Sequence, residues 1–254
     1  MNSVSLVIGS GSIGERHSKN LVKYFNQSVK VLSRYPDKAF RDKFLNESQK
    51  VSKIELNELE KYEEFETIVL ATPSSIRADA LKNLKGAKIG SIYVEVPAAI
   101  SFNEWEILKN KAEQLNTILY PGYNMRFHPG FKILDSLKSN FLTFRGIFAE
   151  YLPSLHLWES YKERYEAKKS LGGGPLLTSH HELDIAISLF GPVDSVSCFM
   201  RNSFLDIDSS DHALINLFHK NGTVSNIDLN FFYKEYTRRI EIASSQELII
   251  YEPF

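Results

Sequence analysis

Two short stretches of the 254-residue sequence concentrate the residue types that do chemistry: GSGSIG at 9–14, and HHELD at 180–184. The first has the GxGxxG spacing. Gly9 permits a tight turn, Gly11 lets a backbone approach a pyrophosphate, and Gly14 allows close helix packing. Ser12 and Ile13 open a helix whose N-terminus faces negative charge. The bare pattern is common by chance, and context gives it weight: SLVIG (5–9) reads as a strand before it, and a helix follows from about Ser12. A strand, glycine loop and helix in that order form a dinucleotide site; a glycine turn without a ligand is the competing reading.

About 20 residues past the motif, the second strand should end on the group that reads the adenosine ribose. Ser33 and Arg34 stand there. An acidic residue would accept from a 2'-hydroxyl, whereas serine beside arginine offers a donor and a cation to a 2'-phosphate. NADP is therefore expected, with NAD as the alternative; Arg34 as a solvated loop arginine is the competing reading. In the second stretch, an imidazole titrating near pH ~6.5 suits proton transfer around neutrality. Taken alone, however, His180 and His181 read as helix-start capping and core hydrogen bonding.

Other polar residues point to less. His17 lies at core spacing on the first helix and reads as a packed histidine. His156 and Trp158 read either as cover for a sugar face or as a loop anchor. HHELD lacks the HExxH register, and no His, Asp and Glu grouping has metal spacing, so no metal is expected. A single cysteine, Cys198, excludes an internal disulfide and fits a reducing compartment, the cytoplasm.

The elements that must position these residues alternate up to about Leu119. Strand candidates at 5–9, 29–33, 67–72, 91–96 and 117–121 are separated by helical stretches, the pattern of a doubly wound parallel α/β sheet. In the first helix Ile13, His17, Leu21, Tyr24 and Phe25 share one face. After Tyr120 the character changes to one more helix (128–137), the long strand LTFRGIFAEYLP and an irregular segment to Leu171. A glycine-rich loop then enters a helix with Leu176, Leu183, Ile187 and Leu189 or Phe190 as apolar contacts, stopped by Gly191 and Pro192. From Val193 onward a meander of strands follows. We expect a Rossmann domain over 1–120 and an α+β domain with a largely antiparallel open sheet over 121–254.

GSGSIGERH, ATPSS (71–75), VEVPAAIS (94–101) with GYNMRFHP (122–129), and GGGPLLTSHHELD (172–184) together resemble the Gfo/Idh/MocA family, the relatives of glucose-fructose oxidoreductase and inositol dehydrogenase. The resemblance implies oxidation or reduction of a hydroxyl or keto group on a sugar, cyclitol or sugar-nucleotide. It implies that Thr72, Pro73, Ser74, Arg77 and Glu95 serve the cofactor. Tyr123, Asn124, Arg126, His180 and Asp184 then border the substrate, and His181 becomes the base. Two departures stand out: Val96 replaces the lysine of the family's Glu-Lys-Pro triplet, and Thr178 replaces an aspartate. They motivate an alternative, a cofactor-binding redox sensor or complex subunit without dehydrogenase turnover. A third reading keeps the enzyme but uses the cofactor transiently, in elimination or epimerisation. Family members continue several tens of residues past the position of Phe254, so a more open pocket, or one closed by a partner subunit, is expected if the chain ends there.

Composition bounds the partners. Lys and Arg number 30 against 31 Asp and Glu, for a net charge of -1, which offers no field to attract nucleic acid or anionic lipid. No window approaches the ~18 apolar residues of a membrane helix. A small sugar-like substrate and a homodimer or homotetramer through the C-terminal sheet are expected.

Overall fold

The computed structural model describes residues 3–33, 48–84, 86–136 and 141–252. The chain divides into two compact units, Met1–Gly122 and Tyr123–Phe254. The first contains β1 (Val4–Ile8), α1 (Ser12–Phe25), β2 (Ser28–Leu32), β3 (Val51–Ile54), β4 (Glu64–Leu70), α2 (Arg77–Ala80), β5 (Lys88–Val94), α3 (Phe102–Gln114) and β6 (Ile118–Pro121). Its strands lie in the order β3-β2-β1-β4-β5-β6, with every pair parallel. The order reverses between β1 and β4, and open α/β sheets bind ligands outside the carboxyl ends of the strands at such a point. Leu6, Val7, Ile68, Leu70, Ile92 and Val94 are buried along the central strands, which explains their nearly continuous apolar runs.

Two features of this unit differ from the reading of the sequence. Strand β3 escapes the pattern because it is an edge strand of four residues in which only Val51 and Ile54 are buried. On α1 the buried positions are Gly14, Ser18 and Leu21, while Tyr24 and Phe25 are each 66% exposed. The reason is proximity: a Cβ on Gly14 would stand 2.0 Å from the Gly9 carbonyl oxygen. The Ser18 hydroxyl also folds back to donate to the Gly14 carbonyl at 2.9 Å. Small residues set this face, so its largest apolar side chains are left outside.

The second unit contains α4 (Pro129–Ser136), β7 (Phe141–Ala149), α5 (Pro175–Thr178), α6 (His181–Phe190), β8 (Val193–Arg201), β9 (His212–His219), β10 (Val224–Asn230), β11 (Thr237–Ser244) and β12 (Leu248–Tyr251). The sheet order is β12-β11-β7-β10-β9-β8, antiparallel except for the parallel pair of β7 and β10. The meander holds for β8 to β10, but β7 then intervenes between β10 and β11. That long-range insertion leaves no trace in local alternation.

One sheet face packs Phe144, Ile215, Ile227, Leu229, Ile240 and Ile242 against α4 and α6. Ile185, Ala186, Leu189 and Phe190 carry the α6 contact, whereas Ile187, expected in it, is 43% exposed. Gly191, at φ 78°, ends the helix. The opposite face is ordered by register into rows, one running Ser197, Asn216, Asn226, Arg145, Glu241 and Ile250 across all six strands.

Candidate functional site

In the first unit the glycine loop sits between β1 and α1 as the spacing requires. Gly9, at φ +115°, packs so closely on the following strand that a Cβ would meet the Ala71 carbonyl at 2.7 Å. Its N–H donates to the Leu32 carbonyl at 2.9 Å. Gly11 is different, because a Cβ there would meet nothing within 4 Å. Protein packing therefore does not demand glycine at this position; an open cradle beside the start of α1 remains. No side chain caps that helix start, so its first-turn N–H groups are left for an anion. The donor set fits a pyrophosphate.

Ser33, just past β2, is held against the loop by a 2.7 Å contact between its hydroxyl and that of Ser10. Arg34 lies outside the described residues. Thr72, Pro73 and Ser74 form the turn after β4. The Thr72 hydroxyl oxygen is buried without a hydrogen-bond partner in the protein, as expected of a group that meets a ligand. Arg77 is buried at the start of α2. Its Nε donates to the Thr72 carbonyl at 2.9 Å, and Nη1 to the carbonyls of Glu95 and Pro97. Its guanidinium thus joins the 72–74 turn to the segment after β5.

Glu95 completes this arrangement. His17 Nε2 lies 2.5 Å from its Oε1, and Arg16 Nη2 3.7 Å from the same oxygen. Burial pushes the Glu95 carboxyl up, but the His17 bond and the charges of His17, Arg16 and Arg77 outweigh it, and the net pKa lies below the usual value. His17 also packs on the Tyr93 ring, with centroids 5.0 Å apart. Burial, reinforced by the Glu95 charge, pushes the Tyr93 phenol up to about 12. His17 is therefore a packed histidine with a polar partner, which helical spacing alone did not reveal.

In the second unit, the 3-10 turn Asn124–Phe127 and the start of α6 bring the remaining candidates together. Arg126 forms a two-pronged pair with Asp184, from Nε to Oδ2 at 2.8 Å and from Nη2 to Oδ1 at 2.5 Å. Its guanidinium lies 5.2 Å over the Tyr123 ring. Tyr123 meets His180 edge-on at 6.0 Å, and His180 stacks on His181 at 5.3 Å with 22° between the planes. His180 Nδ1 is 2.8 Å from the Leu177 carbonyl, which assigns the proton to that nitrogen. Burial and the Asp184 charge raise the Tyr123 phenol. Asn124 is exposed beside this group. Thr178 donates its hydroxyl to the Gly174 carbonyl at 3.0 Å.

Sequence reasoning missed two acids of this unit. Glu182, next to His181, is fully buried and accepts from Arg238 Nε at 2.7 Å. Burial raises its pKa against the pull of Arg238. Glu150, just past β7, is pushed up to about 7 by burial and by the charge of Glu166, with Arg164 opposing. At 150 the signal available was a charged residue interrupting the apolar run 147–152, and at 182 the polar neighbours His180 and His181 left none. Among the described residues no group of three or more His, Cys, Asp or Glu could hold a metal, and no helix is long and apolar enough to cross a membrane.

Residues 5–123 match the family model described as "Oxidoreductase family, NAD-binding Rossmann fold". The first unit is thus an NAD-binding Rossmann domain. Over those residues the chain is similar to the Gfo/Idh/MocA oxidoreductase family. It is 25% identical over 232 residues to an uncharacterized oxidoreductase, YrbE, of Bacillus subtilis (strain 168), covering 89% of this chain and 66% of that protein. Its fold is that of GenD2 from gentamicin A biosynthesis, solved in complex with NAD (TM-score 0.81, 18% identity, 98% of this chain and 72% of that one). Levoglucosan dehydrogenase, solved in complex with NADH, is similar to the same degree (TM-score 0.80, 17% identity, 99% and 73%).

Proposed function

We propose that the protein is a nicotinamide-dinucleotide-dependent oxidoreductase acting on a hydroxyl or keto group of a sugar, cyclitol or sugar-nucleotide. The observation that carries this reading is the open cradle at Gly11 before the uncapped start of α1. The dinucleotide is held by Gly9, Gly11, Ser12, Ile13 and Gly14 along the pyrophosphate and by Ser33 and Arg34 at the ribose, where they favour NADP. Thr72, Pro73 and Ser74 border its nicotinamide end, while Arg77 and Glu95 fix the backbone there. When bound, the nicotinamide supplies a hydride acceptor or donor.

In oxidation, the carbinol carbon gives up a hydride, its oxygen gives a proton to His181, and a carbonyl forms. His180 stacks on His181 with its own proton directed to Leu177, and Tyr123, Asn124, Arg126 and Asp184 contact the substrate. Self-association uses the outer sheet face, where Asn226 Nδ2 donates to Asn216 Oδ1 at 2.8 Å within a polar row flanked by exposed Phe199, Phe218, Val224 and Leu248. The cytoplasm is the expected compartment.

The test is turnover at 340 nm with NADPH or NADH and a panel of keto-sugars. His181→Ala should abolish it, and Arg34→Asp should shift preference towards NADH. A second reading, cofactor binding without turnover, is favoured by Val96 and by Thr178, whose hydroxyl serves the backbone of its own turn. Binding of NADPH with no turnover of any sugar would select it.

A further inference from the structure

The irregular segment between β7 and α5 carries a turn built more rigidly than its exposure suggests. His156 sits at φ 53°, an uncommon conformation for a residue with a side chain, and the Glu159 N–H donates to its carbonyl at 3.1 Å. Buried Arg164 grips both ends of the turn, with Nη1 donating to the Leu155 carbonyl at 3.0 Å and Nε 3.8 Å from Glu159 Oε1. Leu155 anchors the turn on the small core of Leu152, Ala167 and Phe231. At its tip the Trp158 ring stacks on His156 at 4.6 Å and 19°, yet the residue remains 69% exposed. His156 Nδ1 lies 3.5 Å from Glu159 Oε1, so the imidazole stacked on the indole carries a carboxylate at its edge.

A clamped, strained turn that displays an aromatic ring instead of burying it calls for an occupant. We propose that Trp158 is a stacking platform for the pyranose ring of the substrate, with His156 and Glu159 meeting its hydroxyls. An indole offers a flat apolar face to the C–H face of a sugar, and the polar groups at its edge suit the hydroxyl rim. Charged and polar groups directly beside a single aromatic favour a sugar over an apolar protein surface, which would strip the solvent from half-exposed Glu159. The proposal rests on the sugar-oxidoreductase reading and names where its substrate is gripped.

The protein has two tryptophans, so Trp105→Phe, in the first unit, makes Trp158 the sole indole emitter. Glucose, N-acetylglucosamine, myo-inositol and UDP-N-acetylglucosamine are then titrated, with emission read at several protein concentrations. The expected result is a saturable emission change with at least one of these. For a sugar that turns over, Trp158→Ala should raise KM about tenfold while kcat and NADPH affinity change little. Turnover with a KM untouched by Trp158→Ala overturns the platform and leaves the oxidoreductase reading standing. A saturable emission change with a sugar that is never turned over supports the platform and overturns that reading. Emission that responds to protein concentration instead of sugar makes the turn, with its neighbour Leu157, a contact between copies and overturns the proposal.

Discussion

Each unit of the molecule buries a glutamate beside an arginine, and the two behave in opposite ways. Glu95, after β5, is surrounded by His17, Arg16 and Arg77, and its carboxyl is held below the ordinary value despite burial. Glu182, in the first turn of α6, meets Arg238 alone, and burial raises it. Its Oε2 and the Nη2 of Arg238 are both buried without a hydrogen-bond partner. The sign of each shift follows from whether the donors available offset the lost hydration. In the first unit the compensated carboxylate and the Arg77 bridge fix the backbone bordering the 72–74 turn. In the second, an under-compensated pair supports the helix that presents His180 and His181.

The largest effect should come from breaking the under-compensated pair. Arg238→Met leaves Glu182 alone in an apolar interior and should cost ~3–5 kcal/mol in urea unfolding, whereas Glu182→Leu with Arg238→Met should recover most of that loss. A cost below ~1 kcal/mol for the single change would remove the contrast. Next comes Glu150. Its pKa is raised from 4.5 to about 7, so its contribution is fully present below about pH 4.5 and is lost as pH rises towards 7. Glu150→Gln should therefore gain stability relative to the parent between pH 4 and pH 8, by up to ~3 kcal/mol. Thermal melts at the two pH values check this.

Glu95 should behave with the reverse sign. Its pKa is lowered, so its contribution is present above the ordinary carboxylate value and is lost as pH falls through the folded one. Glu95→Gln should cost ~1–2 kcal/mol at pH 7, with the difference from the parent shrinking under acid. A gap independent of pH would show that the carboxylate charge is not what His17 and Arg16 hold. The smallest effect belongs to α1: Tyr24→Ser should lie within ~0.5 kcal/mol of the parent, because that ring stands in solvent. A loss of several kcal/mol would restore the apolar face read from helical spacing.

That last contrast shows how far the sequence reaches. Glycine spacing and strand context located the loop between β1 and α1, because both are local and the turn tolerates few alternatives at Gly9 and Gly14. Apolar periodicity on α1 misled at Tyr24 and Phe25, because close approach to the sheet selects small residues. The cluster of Tyr123, Arg126, His180, His181 and Asp184 was legible through its motif order. Arg238 was not, because the pairing of β11 with β7 sets it against Glu182 from outside every motif. The insertion of β7 between β10 and β11 was hidden for the same reason.

The central claim is that the Gly9–Gly14 loop holds a nicotinamide dinucleotide, and Gly11 tests it most directly. A Cβ at this position meets nothing within 4 Å, so Gly11→Val should fold as the parent does while filling the space a pyrophosphate needs. Fluorescence titration with NADPH and NADH, alongside a thermal melt, is the measurement. The expected result is saturable binding by the parent and none by Gly11→Val, with unchanged melting. Equal binding by both proteins, or no binding by the parent, would contradict it.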